Sequence, residues 1–244
     1  MKIPLKQKAY AHVLNRIMTG SFKPGAKLSE VAMAKEIGIS PTPLREAYRQ
    51  LASEGFVKYV PNSGIFVREI SEAELAELYE TREALEPFCA RLAAIKMNLI
   101  MIEELGHCLS EMLALARELQ GSGAEAFSPE QELRYLKSDA KFHLLILKAA
   151  GNRIIFKTMR ECHVLERLIG LKSHKHTLRQ VALTRRQHSK IFKYIRKHDS
   201  AMAEDWMRKH IAFSRATSLQ NSPSCNDPSA EEEYSNFREF IDEK

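Results

Sequence analysis

Leu28-Ser-Glu-Val-Ala-Met-Ala-Lys-Glu-Ile-Gly-Ile-Ser-Pro-Thr-Pro-Leu-Arg-Glu-Ala-Tyr-Arg-Gln-Leu-Ala-Ser-Glu-Gly-Phe-Val57 reads as two short helices joined by a tight turn. Ser29 is placed to cap a helix over Glu30 to Ile37, which Gly38 closes because only glycine enters the left-handed region freely. Ser40 is placed to begin a second cap, and Pro41 suits a first helical position whose N–H needs no partner. Leu44, Ala47, Tyr48 and Leu51 then give the second helix one apolar face, ending at Gly55. Upstream, Tyr10, Val13, Leu14, Ile17 and Met18 recur at helical spacing as far as Gly20, and Phe22-Lys-Pro-Gly25 supplies a bend. Downstream, the apolar runs Phe56–Val60 and Ile65–Val67 flank Pro61-Asn62-Ser63-Gly64, a hairpin signal. Helix, short helix, glycine turn, helix and hairpin make a winged helix-turn-helix.

A helix of this kind enters the major groove with its N-terminal turn against the base edges. Its non-core face shows Thr42, Arg45, Glu46 and Arg49, and the hydroxyls of Ser40 and Thr42 suit phosphate oxygens. Asn62 and Gly64 at the hairpin tip suit close approach to the minor groove. Taken singly, Arg45 and Arg49 read equally well as solvated charges and Ser40 as a plain cap. Their order along one small unit favours double-stranded DNA. Residues 1–70 carry 11 Lys+Arg against 5 Asp+Glu, a basic balance that suits a polyanion.

From Ser71 the pattern changes to long helices, with no strand expected. Ser71-Glu-Ala-Glu74 has the form of a capping box opening a helix to about Met97. Further helices are expected near Ile100–Leu119, Pro129–Ala149, Arg153–Lys172, Leu178–Lys197 and Ala201–Ser218, with Gln120-Gly-Ser-Gly123 as a flexible interruption. The expected fold is mainly α: a winged helix-turn-helix over residues 1–70 and an all-α antiparallel helical bundle over 71–218. Residues 219–244 read as an acidic, flexible tail, in which Tyr234, Phe237, Phe240 and Ile241 could form a short amphipathic helix. The chain shows no apolar run of membrane-spanning length and no signal peptide. Four scattered cysteines (Cys89, Cys108, Cys162, Cys225) form no CxxC pair; three are expected in helix cores, and the set suits a reducing cytoplasm.

Asp139 and His143 stand four apart on one helical face. His188 lies on a later helix and His210 on the last, so a carboxylate and three imidazoles from three helices could converge inside the bundle. Such nitrogen and oxygen donors suit Zn, Ni, Mn or Fe as divalent ions. Spacing also allows a plainer arrangement, with Asp139 and His143 as a local hydrogen-bonded pair and His188 and His210 on solvated faces. Arg82 could likewise be no more than an i, i+4 ion-pair partner of Glu86.

The segment from Leu28 to Val57 closely resembles the GntR family of bacterial regulators, and Pro61-Asn-x-Gly-x-x-Val67 resembles their wing. Two positions depart: Pro41 stands where members usually carry Arg, and Ser63 where a basic residue is common. A changed operator, weaker binding or reliance on Arg45 follows from those departures. Ser138-Asp139-Ala-Lys-Phe-His143 through Asn152, His188-Ser-Lys-Ile-Phe-Lys-Tyr-Ile and Trp206-Met-Arg-Lys-His210 resemble the helical (FCD) sensor domain of the FadR-type branch. The resemblance implies a divalent metal on Asp139, His143, His188 and His210, with Arg82 facing an effector cavity where it would clamp a carboxylate. It also implies a homodimer that binds a near-palindromic operator under control of a small organic acid. The junction at Glu69-Ile70-Ser71 is then the expected moving part. The alternative is a metal-dependent hydrolase or oxygenase acting on a small carboxylate. It lacks an HExxH motif and leaves the basic N-terminal unit unexplained, and a structural nucleoid protein would have no use for a large sensor bundle.

Overall fold

A computed structural model describes residues 4–160, 162–163 and 176–219. The described residues divide into two compact units, 4–71 with 162–163 and 72–160 with 176–219.

The first unit contains α1 (Leu5–Met18), β1 (Lys27–Leu28), α2 (Glu30–Ile37), α3 (Pro41–Ser53), β2 (Val57–Val60) and β3 (Gly64–Val67). Ser29 caps α2 by accepting from Ala32 N, and Gly38 ends it in the left-handed conformation. Leu44, Ala47, Tyr48 and Leu51 are buried together with Val13 and Ile17 of α1. The strands form an antiparallel sheet in the order β1-β3-β2, with Val60 opposite Gly64 across the hairpin turn. β1 was not foreseen, because a two-residue strand has no periodicity to reveal it. Its approach depends on Gly25, where φ is +79° and an added Cβ would lie 2.9 Å from the Glu69 side chain.

The second unit contains α4 (Glu72–Lys96), α5 (Leu99–Ser122), α6 (Pro129–Ala150), α7 (described over 153–160), α8 (Leu178–Arg196) and α9 (Ser200–Leu219). Helix α4 packs on α6, α8 and α9, while α5 packs on α6 and α8. Capping boxes open α6 (Ser128 with Gln131) and α8 (Thr177 with Gln180), and Asn152 Oδ1 accepts from Ile154 N and Ile155 N at the start of α7. Gln120-Gly-Ser-Gly123 is not an interruption: α5 runs through it to Ser122 and stops at Gly123, whose φ is +67°. Helical packing of Leu115, Ala116 and Leu119 carries the helix past Gly121, whose unfavourable propensity is small beside that burial. Cys89 and Cys108 are buried in helices and Cys162 is half-buried; Cys225 and the acidic tail lie outside the described residues. Among those residues no helix is long and apolar enough to cross a membrane.

Candidate functional site

The DNA-reading candidates lie on the first unit's surface. Thr42, Arg45, Glu46 and Arg49 are all exposed on α3, opposite its buried face. Arg45 Nε donates to Glu30 Oε2 at 2.8 Å while its side chain remains 60% exposed, so an anion can still reach the guanidinium. Ser40 occupies the N-cap position with extended backbone, yet its hydroxyl makes no capping bond. The reason is in the sequence. A cap side chain takes the N–H two or three residues on, and here Pro43 removes the second of those two donors and leaves only Thr42 N. The Ser40 hydroxyl is exposed. At the wing tip Asn62 has φ +58° and Gly64 φ +109°. A side chain at Gly64 would crowd the Lys27 stem at 3.3 Å.

In the second unit His143 of α6, His188 of α8 and His210 of α9 are brought together and are 0%, 0% and 2% exposed. The reading of His188 and His210 as solvated-face residues is thereby overturned. His210 Nε2 lies 3.0 Å from His188 Nε2 and 3.2 Å from His143 Nε2. Asp139 Oδ1 stands at the edge, 3.7 Å from His188 Nε2, which is too long for a hydrogen bond. The turn that sets α9 against α8 is tied down by His198, at φ +56°, whose Nδ1 donates to the carbonyl of Ala94 on α4. Phe142 stacks on His188 with ring centroids 4.3 Å apart.

The protons around this cluster are constrained. His143 Nδ1 is 2.5 Å from Glu86 Oε2, and His210 Nδ1 is 3.0 Å from Gln187 Oε1. Both partners are acceptors, so each imidazole donates outward and turns an Nε2 lone pair toward the other. His188 can place a proton between itself and His210, which still leaves two lone pairs facing at 3.2 Å. A shared cation relieves that repulsion. Ligands held at about 2.0–2.1 Å from one ion sit roughly 2.9–3.4 Å apart, the range seen here. Burial, reinforced by the neighbouring His210, His143 and Arg82, holds His188 well below the usual imidazole range, in the neutral form a metal needs. The three histidines thus form a group able to hold a metal ion.

Arg82 and Glu86, one turn apart on α4, are each 1% exposed and paired at 2.6 Å. Glu86 bonds Arg82 through Oε1 and His143 through Oε2. Sequence reasoning named Glu86 only as a possible ion-pair partner and did not name Gln187 at all. The i, i+4 spacing carried the first half of that signal; contact with α6 belongs to tertiary packing and leaves no local pattern.

Comparison with known proteins identifies the family of both units. Residues 5–67 match the family described as bacterial regulatory proteins, gntR family, and residues 77–213 match the FCD domain. The HTH-type transcriptional regulator YdhC of Bacillus subtilis is 23% identical over 208 residues, covering 85% of this chain and 88% of that protein. The HTH-type transcriptional repressor RspR of Escherichia coli K12 is 27% identical over 208 residues, covering 85% and 86%. The solved structure of E. coli McbR/YncC superposes with a TM-score of 0.71 at 18% identity, covering 90% of this chain and 99% of that one. The relatives are regulators and give no support to an enzyme. The chain belongs to the GntR family, as a DNA-binding transcriptional regulator that joins a winged helix-turn-helix to an FCD domain.

Proposed function

We propose that this regulator is a cytoplasmic homodimer whose hold on a double-stranded operator is set by a small carboxylate bound at a metal centre in the helical unit. Residues 1–70 form the DNA-binding part, with Ser40, Thr42, Arg45, Arg49, Asn62 and Gly64 meeting the duplex. Residues 71–218 form the sensor and dimerisation part, and the acidic tail of 219–244 lies beyond it. Asp139, His143, His188 and His210 hold the divalent cation, and Arg82 takes the carboxylate. The observation that carries this reading is the meeting of three buried Nε2 atoms, with the Nδ1 of His143 and His210 set against Glu86 Oε2 and Gln187 Oε1. A divalent ion there supplies a Lewis-acidic anchor for an acid's oxygens. The nitrogen and oxygen donor set accommodates Zn, Ni, Mn or Fe.

The chain's own residues do the rest. Burial keeps the His188 imidazole neutral, Gln187 and Glu86 orient the other two, and Arg82 offers a planar fork that matches a carboxylate. An acid affects DNA binding only if it favours one arrangement of the dimer over another, with the junction at Glu69-Ile70-Ser71 as the moving part. The test begins with an operator selected from a randomised duplex pool. Fluorescence anisotropy then measures operator affinity of metal-loaded protein across a series of small carboxylates. An active acid is expected to shift affinity by roughly 5- to 150-fold, the usual span of allosteric coupling. A carboxylate that binds tightly and leaves operator affinity unchanged refutes the regulatory half.

A further inference from the structure

We infer that Glu86 is the positioning residue of the metal centre, fixing which nitrogen of His143 carries the proton and tying that choice to Arg82. The inference rests on the reading of the three-histidine group as a metal site with Arg82 at the place of the acid.

The three imidazoles are held differently on their outward sides. His143 Nδ1 meets a carboxylate oxygen, His210 Nδ1 meets the amide oxygen of Gln187, and His188 Nδ1 is buried with no hydrogen-bond partner among the described residues. A carboxylate can only accept, so it selects the Nδ1–H tautomer of His143 and leaves Nε2 as a donor to a metal. Glu86 is 1% exposed, and its Oε1 accepts from the Arg82 guanidinium, which leaves Oε2 to accept from His143. Both carboxylate oxygens are thus committed, one to each of two sites. An acid that draws Arg82 away releases Oε1 of Glu86 while Oε2 stays on His143, and linkage makes the effect mutual: the metal ligand feels the acid and the acid feels the metal. An Arg82–Glu86 pair that served only to hold α4 in place would have no influence on the tautomer of His143.

Full-length wild type, Glu86→Gln, and the double variant Arg82→Met/Glu86→Leu separate these roles. The double change removes both buried charges together, because an unpaired Arg82 would itself endanger the fold. Two readouts are taken: imidazole nitrogen NMR of metal-stripped protein, and affinity for Zn²⁺ alone by competition with a chromogenic chelator. Wild-type His143 is expected in the Nδ1–H form. In the double variant both tautomers appear at His143 while His210 is unchanged, and zinc affinity falls roughly 10- to 100-fold. Glu86→Gln keeps an accepting oxygen and falls less. Retention of the Nδ1–H form in the double variant overturns the inference, as does wild-type zinc affinity in both variants. Wild type that takes up no zinc refutes the metal reading instead, and the tautomer comparison then decides the role of Glu86 by itself.

Discussion

Ser29 and Ser40 have the same local sequence role and different fates. Ser29 accepts from Ala32 N, whereas the Ser40 hydroxyl makes no capping bond and has Pro43 at the position equivalent to Ala32. Ser29→Ala is therefore expected to lower stability by about 1 kcal/mol. Ser40→Ala is expected to leave the urea midpoint unchanged and to weaken operator binding. A shared loss of stability, read from the same denaturation curves, would show that Ser40 caps after all. Cys89 gives a second test at this scale. Burial, with a smaller contribution from the Glu86 charge, pushes its thiol from 9.0 up to about 11. The protonated form is favoured in the fold, so this contribution to stability is present below pH 9 and is lost as pH rises toward 11. At pH 8 Cys89 is expected to resist a thiol reagent until the chain unfolds; fast labelling of the native protein would contradict its burial.

Helices and turns were legible where caps and glycines are local signals. Ser29 and Gly38 act as the helix boundaries expected of them, and in the structure Ser128, Gly151, Asn152 and Thr177 do the same. Gln120-Gly-Ser-Gly123 misleads because two glycines resemble a linker, and the burial of Leu119 that keeps α5 intact is a tertiary fact. The two glycines now have opposite expected behaviour. Gly121 is helical with nothing within 4 Å of an added Cβ, so Gly121→Ala should raise stability by up to about 1 kcal/mol. Gly123 has φ +67°, and Gly123→Ala should lower stability. Thermal unfolding of the two variants checks both signs; stabilisation by Gly123→Ala would show that α5 ends elsewhere.

For the molecule as a whole, the sequence order of helix, turn, helix and hairpin made the DNA-binding unit readable without coordinates. From spacing alone the sensor's candidate ligands were readable only as a separation of four between Asp139 and His143 and two distant histidines; the resemblance to the FCD domain joined them into one set. Long-range packing of α4, α6, α8 and α9 decides that three of them meet, and no local pattern encodes it. The same packing introduces Glu86 and Gln187, which touch the imidazoles from behind and have no spacing signature. Binding of an acid is meaningful to the operator only if the metal centre exists, so that centre is the central claim. Elemental analysis of untagged wild type beside His143→Ala tests it most directly. About one divalent ion per wild-type chain, lost in the variant, is the expected result. Wild type that remains empty after incubation with Zn, Ni, Mn and Fe(II) would contradict it.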